Sequence, residues 1–148
     1  MRIGIFPLNL VLFPESIYPL HIFEERYKLL VNDCISRNEK FGIVFSSGIE
    51  LASYGCTAKV HQIIKKYPDG KIDISVKGYD RFKLIALEED NTSYSKADIE
   101  IVDDITETID EELLDDCIDL FNFITNKIPV FRVQKTTKDE LIGVRASY

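Results

Sequence analysis

The sequence predicts an α+β chain, mostly β over residues 1–104 and helical over residues 105–148. Three observations carry that reading. A hairpin signal, Tyr67-Pro68-Asp69-Gly70, lies between two runs of alternating apolar and polar residues. Further short runs between Ile3 and Val102 read as strands. Beyond Asp110, apolar residues recur at the three-four spacing of one helix face. The character changes between Asp103 and Glu107, the one candidate boundary. A chain of 148 residues with 45% apolar content should bury a core without disulfide or metal staples.

Taken in order, Ile3 to Phe6 opens with a strand that Pro7 should halt, because proline brings no amide hydrogen to a ladder. Leu8 to Phe13 is apolar and ends at the turn signal Pro14-Glu15. Ile17 to Ile22 is extended and contains Pro19, the mark of an edge or a bulge. From Glu24 to Ser36, Tyr27, Leu30, Val31, Cys34 and Ile35 share one helical face, with Glu24 and Glu25 where carboxylates complement free backbone amides. Phe41 to Phe45 reads as a short buried strand closed by Ser46-Ser47-Gly48. Cys56 to Lys66 and Lys71 to Tyr79 are the hairpin arms. Ile72, Ile74 and Val76 point one way, and Ile63-Ile64 breaks the alternation, which suggests a bulge. Gly78 should start a sharp bend into a separate strand, Arg81 to Leu87, and Tyr94 to Val102 supplies another. Thr108-Ile109-Asp110-Glu111 has capping-box spacing. It introduces a helix over Asp110 to Asn126 that should bury Leu113, Cys117, Phe121 and Ile124. Pro129 stops or bends whatever follows.

Charge narrows the partners. The net charge of -7, from 18 basic and 25 acidic side chains, disfavours nucleic acid phosphates and anionic membranes. Ten carboxylates and no Lys or Arg fall between Glu100 and Asp119. They match no calcium loop and read as a solvated face. Lys59, Lys65, Lys66, Lys71, Lys77 and Lys83 surround the hairpin, where lysine blunts sheet edges. Without interleaved stacking aromatics they make no single-strand platform, so micromolar RNA binding at physiological salt is not expected. Prolines interrupt the apolar opening, so neither a signal peptide nor a membrane span is expected there. Cys34, Cys56 and Cys117 are widely spaced and odd in number, as free thiols in a reducing compartment would be. The expected location is the cytoplasm.

Catalytic signatures are missing. The chain has no G-x-x-x-x-G-K-[S/T], no G-x-G-x-x-G and no G-x-S-x-G. Cys34 and Cys117 lie on apolar helix faces and read as core, and Cys56 reads the same way. His21, within PLHIF, reads as a satisfied structural histidine, and His61 as surface. No catalytic residue, cofactor or metal site is expected. What remains is an apolar loop, Leu10-Val11-Leu12-Phe13-Pro14, with Tyr18 just beyond, richer in large side chains than an ordinary turn. Leu10, Phe13, Pro14 and Tyr18 are the candidate protein-binding surface. Phe13 and Tyr18 are the two expected to be partly exposed, while Leu10 and Leu12 could simply seal the core.

A family resemblance adds to this. FPLNLVLFPES at 6–16 and YPLHIFEERYKLLVNDC at 18–34 are followed in order by FGIVF at 41–45 and YGCTAKVHQI at 54–63. PDGKIDISVKGYDRFKL at 68–84 and YSKADIEIVDD at 94–104 complete the series. Together they resemble the N-terminal substrate-binding domain of Lon proteases. The resemblance implies a PUA-like six-stranded pseudo-barrel followed by a helical segment, the latter incomplete relative to the family. It implies non-catalytic binding of unfolded or degron-bearing polypeptides. The alternative is a scaffold that docks one specific folded partner or a second copy of itself. The family's ATPase and Ser-Lys peptidase modules have no counterpart in these residues.

Overall fold

The computed structural model describes residues 1–88, 93–103 and 110–127. The elements are β1 (Arg2–Leu8), β2 (Ile17–Ile22), α1 (Glu25–Arg37), β3 (Phe41–Ser46), β4 (Leu51–Lys66), β5 (Ile72–Glu88), β6 (Lys96–Ile101) and α2 (Glu111–Lys127). They belong to two compact units, Met1–Asp103 and Asp104–Tyr148.

The first unit holds a six-stranded sheet in the order β2-β5-β4-β3-β1-β6, with a further β5–β6 pairing. Five strands therefore close into a ring, and β2 lies outside it along β5. This is an α+β pseudo-barrel. The 17-residue β5 makes the closure possible, because Ile72–Lys77 pairs with β2 and Phe82–Glu88 pairs with β6. Register shifts at Cys56/Ala58, Val60/Gln62 and Ile63/Lys65 bend the β4–β5 ribbon, as bulges do. The last of these is the bulge expected at Ile63-Ile64. At the hairpin tip Gly70 takes φ of 82° and its amide donates to the Tyr67 carbonyl.

Two expectations about strand ends fail for physical reasons. Gly78 begins no new strand, and β5 runs straight through it. A Cβ there would lie 2.2 Å from the Phe13 carbonyl oxygen, so glycine serves a close backbone approach and not a turn. Nor does Pro7 end β1, which continues to Leu8. The β1–β6 pairing stops at Gly4, so at Pro7 the strand is paired only with β3. Proline is tolerated where one edge is open.

The core is built from alternating inward residues. Phe41, Phe82, Ile5, Ile43, Ile74 and Val76 are all fully buried, each contributing about 1.5–3 kcal/mol of apolar transfer. α1 adds Tyr27, Leu30, Val31 and Cys34 to the cluster around Phe6, Phe41 and Ile74. Ile35, expected on the same face, is exposed at its margin. α1 ends at Asn38, whose left-handed backbone (φ 54°) directs its amide to the Cys34 and Ile35 carbonyls.

In the second unit, Asp110 caps α2, its Oδ1 accepting from the Glu112 and Leu113 amides at 3.1 Å. The expected capping box joined Thr108 to Glu111, and Thr108 lies outside the described residues, as does Pro129. The expected burial of Leu113, Cys117, Phe121 and Ile124 does not occur: all four are exposed. α2 has no buried residue at all. The carboxylates of Asp115, Asp116 and Asp119 are on exposed positions too.

Candidate polypeptide-binding surface

The loop between β1 and β2 is fastened to β5 through backbone groups. The Glu15 amide donates to the Gly78 carbonyl at 3.1 Å, and the Gly78 amide to the Ser16 carbonyl at 2.9 Å. Ser16 ties the loop to itself, its hydroxyl donating to the Phe13 carbonyl at 2.6 Å. Glu15 takes φ of 62° to make this approach, and its carboxylate meets Lys77 Nζ at 2.6 Å. Of the sequence-nominated residues, Phe13 is 50% exposed and Tyr18 45%, whereas Leu10 and Pro14 are half-buried. Leu10 packs against the core in which Leu12 is buried. Val11 and Ile17, not nominated from sequence, extend the exposed apolar strip.

The other end of β2 opens onto a hollow of about 590 Å³, within the usual range of about 300–1,000 Å³ for binding clefts. Phe6 and Tyr27 form its floor, their rings stacked with centroids 4.1 Å apart. Pro7, Leu8, Leu51 and Leu87 line the sides. On the rim stand Phe23, 57% exposed, and Ile49, 95% exposed. Ile49 is carried at the tip of the β3–β4 turn, where Gly48 adopts φ of 89° and the Ser47 amide bonds the Glu50 carbonyl. Arg26 also borders the hollow, its guanidinium 4.6 Å from the Tyr27 ring centroid and paired with Glu24.

Polar groups on the hairpin are engaged with one another. His21 Nδ1 lies 2.5 Å from Asp73 Oδ1, and the Tyr67 hydroxyl donates to Asp73 Oδ2 at 2.6 Å. The bond from Tyr67, and after it the bond from His21, hold the Asp73 carboxyl below its ordinary range. His21 is thus partnered, though half-exposed, and it ties β2 to β5. Four of the six hairpin lysines are engaged: Lys71 pairs with Asp69, Lys77 with Glu15, Lys59 donates to Asn38, and Lys65 lies over the Tyr67 ring. Burial pushes the Cys34 and Cys56 thiols up to about 11, away from nucleophile chemistry. Cys117 is exposed, which corrects its assignment to the core. Among the described residues no group of three or more His, Cys, Asp or Glu could hold a metal ion. None of their helices is long and apolar enough to cross a membrane.

Comparison with known proteins agrees with this architecture. A Lon N-terminal domain protein from Xanthomonas campestris shares the fold at TM-score 0.70 and 19% identity, over 98% of this chain and 91% of that one. The N-terminal domain of the Mycobacterium avium complex Lon protease superposes at TM-score 0.71 and 14% identity, over 86% of this chain and 69% of that one. The model for the ATP-dependent protease La (LON) substrate-binding domain matches residues 2–145. With nearly its whole length matched, the chain belongs to the family of Lon substrate-binding domains, a protein-binding module.

Proposed function

We propose that this domain captures unfolded or degron-bearing polypeptides through exposed apolar side chains arrayed along β2. The observation that carries the reading is the hollow rimmed by Phe23 and Ile49, large apolar groups left in water above an aromatic floor. The Phe13–Tyr18 strip lies at the opposite end of the same strand. From Tyr18 to Phe23 an extended chain rises roughly 17 Å, so one unfolded segment could touch both places. The free, buried thiols of Cys34 and Cys56 suit the cytoplasm, where thiols stay reduced. The test uses a fluorescent, permanently unfolded model protein. The parent chain should bind it, and a folded variant carrying Phe23→Ser, Ile49→Ser, Phe13→Ser and Tyr18→Ser should not. Unchanged binding by that folded variant would exclude the proposal.

A second reading has one observation in its favour. Leu113, Leu120 and Phe123 on α2 are each about 60% exposed, a surface suited to one folded partner or a second copy. Sedimentation at several concentrations tests self-association, which Leu120→Ser with Phe123→Ser should abolish.

A further inference from the structure

Two strands reach the hollow with a stretch of edge that no other strand pairs with among the described residues, β1 only past Ile5 and β2 along the side away from β5, and each carries a proline there. On β1 the Met1 amine donates to the Ile99 carbonyl at 3.0 Å. The Ile99 amide returns to the Met1 carbonyl at 2.7 Å, and the Ile5 amide donates to the Ser95 carbonyl at 2.9 Å. Backbone groups alternate sides along a strand. Met1, Ile3 and Ile5 therefore face β6, and Pro7 faces the same way, past the last β1–β6 pair and into the hollow. On β2 the Ser16 carbonyl bonds Gly78 of β5. By the same alternation Tyr18, Leu20 and Ile22 face β5, while Ile17, Pro19 and His21 face away. Pro19 sits opposite Ser75 and is exposed.

We infer that Pro7, which lines the hollow, and Pro19, on the open edge of β2 that runs into it, are specificity-determining residues that deny an incoming backbone a strand partner. Strand addition draws its affinity from a continuous run of alternate donors and acceptors on the receiving edge. Each of these stretches lacks its donor at the proline; on β2 the neighbouring outward amides lie about 6.6 Å away along the strand, and on β1 the preceding one, Ile5, is already bonded to Ser95. The occupant is an extended polypeptide that presents large apolar side chains to the Phe6–Tyr27 floor and the Phe23–Ile49 rim, its own backbone left to water. Such a site selects on side-chain content and ignores β-propensity. The same prolines keep copies of this domain from pairing edge to edge. The inference rests on reading the hollow as a polypeptide site, so its test needs an arm independent of that reading.

The experiment compares the full parent chain with a Pro7→Val, Pro19→Thr variant. Two probes are used: an extended fluorescent peptide rich in Phe and Leu, and its twin with alternate amides replaced by esters. The parent should bind both within about threefold, because little affinity comes from backbone hydrogen bonds. The variant should favour the all-amide peptide by roughly tenfold and sediment as larger species than the parent as concentration rises. A tenfold loss for the ester peptide on the parent overturns the inference. So does a variant that matches the parent in both sedimentation and peptide preference. If the parent binds neither peptide, the polypeptide reading of the hollow fails, and the sedimentation arm alone then decides the role of the prolines. Pro19→Thr by itself, at an exposed position, serves if the double variant does not fold.

Discussion

The two ends of β2 hold their apolar groups in different ways. At the entry, Phe13 rides on a loop bonded to the backbone of β5 at Gly78, with Leu12 buried beneath it. At the exit, Phe23 and Ile49 project over a hollow, and neither is part of the buried core clusters. Residues at the entry are presented by the same contacts that close the fold. Residues on the exit rim can change without touching those contacts. Binding and stability should therefore separate at one end of the strand and stay coupled at the other.

The harshest way to break that comparison is at the floor of the hollow. Phe6 belongs to the site and to the core at once, being 4% exposed. Phe6→Ala should cost about 3–5 kcal/mol in urea denaturation. A smaller loss would mean that the floor is not part of the core. Gly78→Val comes next: its Cβ meets the Phe13 carbonyl, and overpacking of this kind costs about 1–3 kcal/mol. Parent-like stability in that variant would show that the loop is not fastened at Gly78. On the rim, Phe23→Ser with Ile49→Ser should shift stability by only about 0.5 kcal/mol per site. The same pair should weaken capture of an unfolded probe roughly tenfold, about 1.4 kcal/mol of binding. Equal losses of stability and binding there would erase the distinction between the two ends.

Much of the fold was legible beforehand because it is written in local patterns. The hairpin turn, the Ile17–Ile22 strand and the buried face of α1 follow from turn chemistry and periodicity over a few residues. Gly78 was misread because glycine at a strand end usually signals a turn. Its actual reason, the carbonyl of Phe13, is 65 positions earlier in the chain. The hollow was invisible for the same cause, since its floor, sides and rim come from β1, the β2–α1 link, α1, the β3–β4 turn, β4 and β5. Phe23 precedes a helix and Ile49 sits in a turn, and no local pattern marks either as a rim. The His21–Asp73 contact joins residues 52 apart, and no motif announces it. Cys117 shared the periodicity of a buried face, but periodicity says which residues lie together and not whether anything covers them.

Two titrations sharpen the picture with smaller effects. Burial holds the Cys34 and Cys56 thiols at about 11 in the folded chain, against 9.0 ordinarily. Between those values the unfolded chain has released protons that the folded chain keeps, so stability falls as pH rises through that window. Denaturation midpoints should drop between pH 9 and pH 11, by less once Cys56 is replaced by Ala, and exposed Cys117 should be the first thiol labelled at pH 8. Asp73 acts in the opposite sense. Its folded carboxyl is held low by Tyr67 and then His21, so its contribution is present above the ordinary carboxylate value and lost as pH falls through the folded one. Asp73→Asn should flatten the acid limb of the stability profile slightly. An unchanged acid limb would mean that the tie between β2 and the hairpin has no energetic weight.

Ring closure imposes an order on biosynthesis. The seam between β1 and β6 joins Met1 to Ile99, 98 positions apart, and no ribosome can deliver the second half of that seam early. At typical elongation rates the growing chain spends on the order of 5–20 s with β1 made and its β6 partner not yet synthesised. During that interval Ile3, Ile5 and, once made, Phe82, all buried in the finished ring, have no complete enclosure. The nascent domain passes through a form that shows to water the apolar side chains the finished ring encloses.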